Sequence, residues 1–430
     1  MNLPPFDYKK ILLAVLLLII TVVMISAVVW LIFIRQPGGS VAPQPGENEA
    51  AGGRLPGAGN EFNPNIIGPS GRLLAGENES GAAAGEGGAE TEQEIDEIAA
   101  GGLTKTNSLI EDSAVAVEFR GNSFNYLNRA DNKFYELSLD GAEKYLLSNE
   151  AFPNVDRVTW SDDGQKVILE YPDGANIIYD FIQNKKTTLP NGLENPDFDS
   201  HSENVAYKFV GANQDDNWLV VTDLKTNSAK ALEPLGGKGA QVQVSWSPDN
   251  QVVAFYREAR GINSEEIILI GQNDENFLSI KVDGSNFRGS WSPKGDKLLY
   301  SVVDAQSDYQ PVLWVVDAQG ESVGRNNFSL RLNTWVDKCV FAPDGRYVYC
   351  AVPSSLPIGA GLYPDLLNDS ADAMYKIDLD TGYGQMLAYP VAGDGSFSDY
   401  QAAKLFISAS ADKLYFFDNF SQRIYYIRLR

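Results

Sequence analysis

A short motif recurs along most of this chain and limits the folds open to it. Its clearest copy is Trp246-Ser-Pro-Asp-Asn250, where an aromatic residue ends one apolar run and a second apolar run follows the turn. Pro248 sets φ for the first turn position, and Asp249 and Asn250 tolerate turn geometry. The motif therefore predicts a strand, a tight turn and a second strand. Related copies begin at Trp160, Phe198, Trp291, Phe341 and Ile407.

A second turn signal follows most copies, as in Lys225-Thr-Asn227 and Asp380-Thr-Gly382. Two phased turns in a unit of about 40–50 residues predict an all-β fold, a β-propeller with four-stranded blades. We expect seven blades, and six is the alternative because the first unit is weak. The predicted blades span 113–150, 155–190, 193–234, 241–281, 286–331, 336–389 and 402–430.

The last unit shows only three strands of its own. An open ring leaves unpaired strand edges, which invite aggregation. We therefore expect Leu103–Ile110 to supply the missing outer strand and to close the ring. On this interpretation the propeller domain spans 103–430.

The amino-terminal part of the chain has a different character. Residues 11–34 carry no charge, and as a helix they are long enough to cross a bilayer core of roughly 30 Å. Lys9 and Lys10 precede them and only Arg35 follows, so the positive-inside bias places tail 1–10 in the cytoplasm and the propeller outside. The alternative, a cleaved signal peptide, has a shorter apolar region.

The segment 35–102 is rich in Gly, Ala, Pro and Glu and poor in aromatic residues. Such a composition buries too little apolar surface to offset the entropy of ordering, so we expect a disordered linker. The sequence thus predicts a single-pass membrane protein in which a flexible linker separates the membrane helix from the propeller.

Composition excludes several functions. The net charge of −23 argues against binding to nucleic acid, which needs a basic face. One histidine and two cysteines leave little for histidine-based catalysis or a zinc site. We predict no catalytic residue, no metal and no cofactor. The alternative is a carbohydrate-active enzyme or glycan-binding propeller that uses carboxylates over the central channel.

The Trp-Ser-Pro-Asp turns resemble the TolB-type, WD40-like propeller repeat of bacterial envelope proteins. The resemblance covers about 155–418, and the chain lacks the Gly-His and Trp-Asp pairs of true WD repeats. It implies a non-catalytic platform that binds a protein or peptide in the cell envelope. The amino-terminal anchor departs from soluble TolB.

A polar residue stands three positions before each repeated aromatic or aliphatic residue, near the start of the innermost strand. These residues are Arg157, Asn195, Gln243, Arg288, Lys338 and Lys404. A ring of cations at the mouth of the channel would attract a carboxylate or another anion. The alternative is that Asp156, Glu194 and Asp337 neutralise them.

The loops between second and third strands share one face with the loops between blades, and several of them are long. We call this the long-loop face and the opposite side the tight-turn face. Loops on a rigid scaffold often carry binding residues, and Tyr and Arg are favoured interface anchors. The candidates are Arg257, Arg260, Tyr309, Tyr363, Asp365 and Tyr400. The largest insertion, Ser354–Asp372, is the first choice for a partner-specific element.

Cys339 and Cys350 lie symmetrically about the turn at Asp344–Gly345. In a two- or four-residue loop register they face each other across a hairpin, which favours a disulfide outside the cytoplasm. Two buried thiols are the alternative. We interpret Trp160, Trp246 and Trp291 as packing between blades and His201 as an ordinary turn residue. The acidic stretches at 196–199 and 368–372 could bind Ca²⁺ through oxygen ligands, although neither matches an EF-hand spacing.

Overall fold

A computed structural model of the chain describes residues 95–366, 370–394, 396 and 399–430. The predicted tail, the predicted membrane helix and residues 35–94 of the predicted linker lie outside these ranges. Within them, no helix combines the length and apolar character needed to cross a bilayer. The helices there are five short 3-10 segments: Gln214–Asp216, Gly236–Gln241, Gly320–Ser322, Val336–Lys338 and Pro364–Leu366.

The described strands form the seven blades of a β-propeller. Strands β1 (Gly102–Lys105) and β2 (Asn107–Ser108) precede blade 1, which comprises β3 (Ala114–Phe119), β4 (Ser123–Asn128), β5 (Lys133–Ser138) and β6 (Lys144–Leu146). Blade 2 comprises β7 (Arg157–Trp160), β8 (Lys166–Glu170), β9 (Asn176–Asp180) and β10 (Lys185–Leu189). Blade 3 comprises β11 (Leu193–Phe198), β12 (Asn204–Phe209), β13 (Trp218–Asp223) and β14 (Ser228–Pro234).

The remaining blades follow in the same order. Blade 4 comprises β15 (Val242–Val244), β16 (Ala254–Gly261), β17 (Ser264–Ile270) and β18 (Ile280–Asp283). Blade 5 comprises β19 (Ser285–Trp291), β20 (Lys297–Val303), β21 (Pro311–Asp317) and β22 (Phe328–Ser329). Blade 6 comprises β23 (Cys339–Phe341), β24 (Tyr347–Pro353), β25 (Asp372–Asp378) and β26 (Tyr383–Val391). Blade 7 comprises β27 (Ala402–Ile407), β28 (Lys413–Asp418) and β29 (Ile424–Arg428). The prediction of seven blades is confirmed.

The segment before blade 1 closes the ring, and it joins two blades rather than one. Strand β2 pairs antiparallel with β29 and is the fourth strand of blade 7, as the sequence predicts. Strand β1 pairs parallel with β26 and adds a fifth strand to blade 6, which the sequence did not indicate. Ile95, which lies within the predicted linker 35–102, packs against the core of blades 5 and 6.

The recurring motif forms the turn between the first two strands of a blade. Trp160 packs at right angles to Phe134 of blade 1, and its indole N–H donates to the carbonyl of Ala116 at 2.7 Å. Trp291 likewise donates to the carbonyl of Ser245 in blade 4. Aromatic residues at these positions therefore fill the wedge between neighbouring blades and tie their inner strands together.

Several innermost strands begin with a β-bulge. The register shifts before Glu118, Asp197, Arg288 and Lys404. Ala116, Asn195 and Asn286 have positive φ at these bulges. A bulge inserts one extra residue and re-aims the side chains that follow it. Each of these bulges therefore changes which residues face the channel near the start of its strand.

Candidate functional site

The innermost strands enclose a central channel, and a cavity opens on the long-loop face where several of these strands begin. This channel mouth has a volume of about 1070 Å³. Its charged lining residues are Arg129, Asp156, Arg157, Glu170, Asp197, Asp337 and Lys404. Carboxylates and cations are mixed there, so the lining is not a ring of positive charge.

The six polar residues predicted to ring the mouth occupy different positions. Arg157, Asn195 and Lys404 line it. The side-chain amide of Gln243 donates to the carbonyl of Gly289 at 3.1 Å and accepts the N–H of Gly289 at 3.3 Å. Lys338 is not among the residues that line the mouth: it lies in the 3-10 turn before β23 and is only 7% exposed. Although each of the six residues stands three positions before its repeated aromatic or aliphatic residue, bulges and turns in the strands place them differently around the mouth.

The cations of this group have carboxylate partners. Arg288 contacts Asp337 of blade 6 at 2.6 Å, and Lys404 contacts Glu118 of blade 1 at 2.8 Å. Arg157 lies 4.0 Å from Asp156 in an exposed pair. Two of these pairs join neighbouring blades across the channel wall. The pairing leaves little net attraction for an anionic ligand.

Lys338 forms the most buried ion pair in the described part of the chain. Its Nζ lies 2.7 Å from Oδ1 of Asp372, and Oδ2 of Asp372 accepts the N–H of Ala402 at 2.7 Å. Burial raises the pKa of Asp372 despite the neighbouring ammonium group. Asp372 ends the long insertion, so this pair fixes the base of that loop to blades 6 and 7.

Asp197, which belongs to the acidic stretch 196–199, lines the wall of the channel mouth. Its Oδ2 accepts the backbone N–H of Trp246 at 2.7 Å and so links blade 3 to blade 4. Removal from water raises the pKa of Asp197 to about 7, which the Trp246 hydrogen bond opposes and the carboxylate of Asp162 reinforces. The signal available in the sequence was a single acidic residue just before the repeated Phe198.

On the long-loop face, three of the six predicted residues are engaged within the fold. Arg260 contacts Glu258 at 2.8 Å and Glu266 at 2.6 Å. Arg257 donates to the carbonyl of Ala240 at 2.6 Å. Tyr400 is half-buried, with ring centroids 5.4 Å from Phe416 and 5.0 Å from Tyr425. Tyr400 therefore contributes to the packing of blade 7.

The other three predicted residues, Tyr309, Tyr363 and Asp365, belong to two loops that contact each other. The long insertion docks on the loop 304–310 of blade 5. The N–H groups of Gly359 and Gly361 donate to the carbonyls of Asp308 and Tyr309, each at 2.9 Å. Gln310 donates to the carbonyl of Leu356 at 2.7 Å. These bonds hold part of the insertion against the neighbouring blade.

Gly361 allows this close approach. A Cβ at this position would lie 2.2 Å from Cγ1 of Val303 and 2.9 Å from the carbonyl oxygen of Tyr309. Any side chain would push the insertion away from blade 5. The sequence marked the insertion by its length, but not the glycine that docks it.

Four large apolar side chains are exposed on the two docked loops. They are Tyr309, Ile358, Leu362 and Tyr363, with 37%, 73%, 41% and 66% of their surface exposed. We call these four residues the apolar loop patch. Ile358 and Leu362 were not singled out from the sequence, because isolated aliphatic residues in a loop give no signal until their exposure is known.

The two cysteines lie opposite each other in adjacent strands. Cys339 in β23 pairs in register with Cys350 in β24, and the structure joins their sulfurs in a disulfide. Within the described ranges, no group of three or more His, Cys, Asp or Glu side chains has the arrangement to hold a metal ion.

Comparison with known proteins identifies the fold alone. No protein-family model and no curated protein matches the sequence. Among solved structures, the β-propeller domain of Myceliophteria thermophila Cps50 (Swd1) has a TM-score of 0.51 and 13% identity, covering 76% of this chain and 100% of that domain. An oligogalacturonate lyase in complex with manganese has a TM-score of 0.47 and 12% identity, and the match covers 76% of this chain and 93% of the lyase chain. TolB from Acinetobacter baumannii has a TM-score of 0.35 and 12% identity, and the match covers 71% of this chain and 63% of the TolB chain.

Proposed function

We propose that this protein is a non-catalytic binding scaffold of the cell envelope that recognises a protein or peptide through its long-loop face. Residues 11–34 anchor it in the membrane, and the propeller lies outside the cytoplasm. The observation that carries the proposal is the docked insertion, which presents exposed apolar side chains on a firmly held loop. A rigid surface of this kind binds at low entropic cost.

The chemistry of the channel favours binding over catalysis. The one histidine, His201, lies in a turn and contacts the side chain of Asn250. The cysteines are joined in a disulfide, so neither offers a thiolate nucleophile. Most cations near the channel mouth are paired with carboxylates. The ion pairs of Arg288 and Lys404 join neighbouring blades, so these two cations support the inner wall of the ring.

Site-specific photo-crosslinking of the full-length protein in its membrane tests the proposal. A photoreactive amino acid is placed at position 363 or 262 on the long-loop face, or at position 182 or 383 on the tight-turn face. We expect crosslinks to a polypeptide from positions on the long-loop face only. Crosslinks confined to the tight-turn face, or none from any position, contradict the proposal. Fractionation of the same cells tests the anchor, because the protein should remain in the membrane after a high-salt wash.

A further inference from the structure

The apolar loop patch differs from the other exposed apolar residues of the described chain. Thirteen large apolar side chains are exposed there, and four of them belong to the patch. Others lie on the opposite face: Ile182 stands in a tight turn, and Tyr383 begins β26 next to one. Isolated exposed apolar residues are normal on a protein surface, whereas a group of them marks an interaction site.

The patch is also held in a specific conformation. Asp308 and Tyr309 have φ of 52° and 55°, a region that bulky side chains rarely adopt and that costs of order 1–3 kcal/mol each. The hydrogen bonds from Gly359 and Gly361 fix these two residues. Asn286 of β19 adds a third anchor, donating to the carbonyl of Gly361 at 2.9 Å. The surrounding contacts thus hold a strained loop that places the Tyr309 ring at the surface.

The charged residues of the two loops have one sign. Residues 304–310 and 354–366 contain no lysine or arginine, and they contain Asp304, Asp308 and Asp365. Asp308 and Asp365 are exposed, and neither forms a salt bridge with any residue that the structure describes. Asp304 instead caps its own loop by accepting the N–H of Ser307 at 2.7 Å. Two carboxylates therefore face solvent beside four apolar side chains.

We infer that the apolar loop patch binds a polypeptide segment in which apolar side chains are flanked by lysine or arginine. The inference rests on the proposed function and adds the location and chemistry of the site. The partner's apolar side chains cover Ile358, Leu362 and the two tyrosine rings. Its cations approach Asp308 and Asp365, and the net charge of −23 speeds their encounter.

A library of random twelve-residue peptides displayed on phage tests this inference against the full-length protein in detergent. The patch variant carries Ile358→Ser with Tyr363→Ser. Its matched control carries Ile182→Ser with Tyr383→Ser, the same substitutions at residues of similar exposure on the tight-turn face. The charge variant carries Asp308→Asn with Asp365→Asn, and asparagine tolerates the positive φ at position 308.

We expect enriched peptides to combine apolar residues with net positive charge. Synthetic copies should bind the patch variant at least about tenfold more weakly than the original protein and should bind the control variant equally well. The charge variant should bind a few-fold more weakly and should lose most of the salt dependence. Replacing lysine by glutamate in the peptide should abolish binding.

Three outcomes overturn the inference. They are enrichment of neutral or acidic peptides, equal binding to the patch variant and the original protein, and no enrichment at all. If crosslinks from the long-loop face still capture a polypeptide in any of these cases, the proposed function stands and only this site is wrong. Circular dichroism of each variant shows whether the propeller has remained folded.

Discussion

Buried serines hold the turns that define the repeat. Ser161, Ser247, Ser292 and Ser408 are at most 5% exposed. In each turn the hydroxyl oxygen accepts the backbone N–H of a residue at the start of the second strand or two residues before it. The same hydroxyl donates to an aspartate of the turn. For Ser292 these bonds are 3.0 Å from Lys297 and 2.7 Å to Asp296. In four of the six copies, the second residue of the motif is therefore a serine that hydrogen-bonds within the turn.

Replacing Ser292 by alanine should lower the free energy of unfolding by about 1–3 kcal/mol, because the N–H of Lys297 loses its buried partner. Ser355→Ala is the control, since Ser355 is exposed, and it should change stability by less than about 0.5 kcal/mol. Urea denaturation followed by tryptophan fluorescence measures both. Equal stability of the two variants would show that the hydroxyl does not hold the turn.

Asp197 should make stability depend on pH. Between its unfolded pKa of 3.8 and its folded pKa of about 7, the folded protein keeps a proton that the unfolded chain releases. Stability contributed by this group therefore falls as pH rises through that window, with a slope of at most about 1.4 kcal/mol per pH unit. Asp197→Asn cannot ionise, and its amide oxygen can still accept the Trp246 N–H.

The difference in unfolding free energy between Asp197→Asn and the original protein, measured from pH 4 to pH 8, should thus increase in favour of the variant and level off above about pH 7. A constant difference across this range would mean that Asp197 titrates normally in the folded state.

At the scale of strands and loops, the Lys338–Asp372 pair secures the base of the insertion. Lys338→Met leaves a buried carboxylate without its cation, and we expect a loss of about 3–5 kcal/mol in the free energy of unfolding. The matched control is Lys225→Met, which removes the cation from an exposed pair with Glu203 and should change stability far less, because solvent screens that pair. Similar losses in the two variants would contradict the role given to burial.

The closing strand should be sensitive to its backbone hydrogen bonds. The N–H of Leu109 donates to the carbonyl of Ile424 at 2.8 Å, and Leu109→Pro removes this donor. Leu109→Ala keeps the N–H and removes only the side chain. Hydrogen exchange at Tyr425 and Tyr426 in β29 should be faster in the proline variant than in the alanine variant. Equal exchange rates would mean that this bond does not hold the seam.

These elements also show what the sequence can and cannot predict. The blade boundaries follow from turn chemistry within a few residues, so the fold was predictable. The ion pair of Lys338 with Asp372 and the hydrogen bond from Gly359 to the carbonyl of Asp308 could not be predicted, because each joins residues more than thirty positions apart. The contact of Asn286, at a bulge of β19, with the carbonyl of Gly361 likewise joins residues that are far apart in the sequence.

At the scale of the molecule, the ring presents two faces of different character. The tight-turn face consists of hairpins tied to one another, for example by Asn250 with Ser200 and by Gln319 with Asp249. The long-loop face carries the docked insertion and the channel mouth. Because β1 and β2 join blades 6 and 7, the chain enters the propeller beside the blade that bears the insertion.

Hydrogen exchange of the full-length protein, with and without the polypeptide captured by crosslinking, measures directly which face binds. Binding through the apolar loop patch predicts that exchange slows within 304–310 and 354–366 and is unchanged within 181–184 and 379–382. Slower exchange confined to the tight turns, with none in the two docked loops, would contradict it.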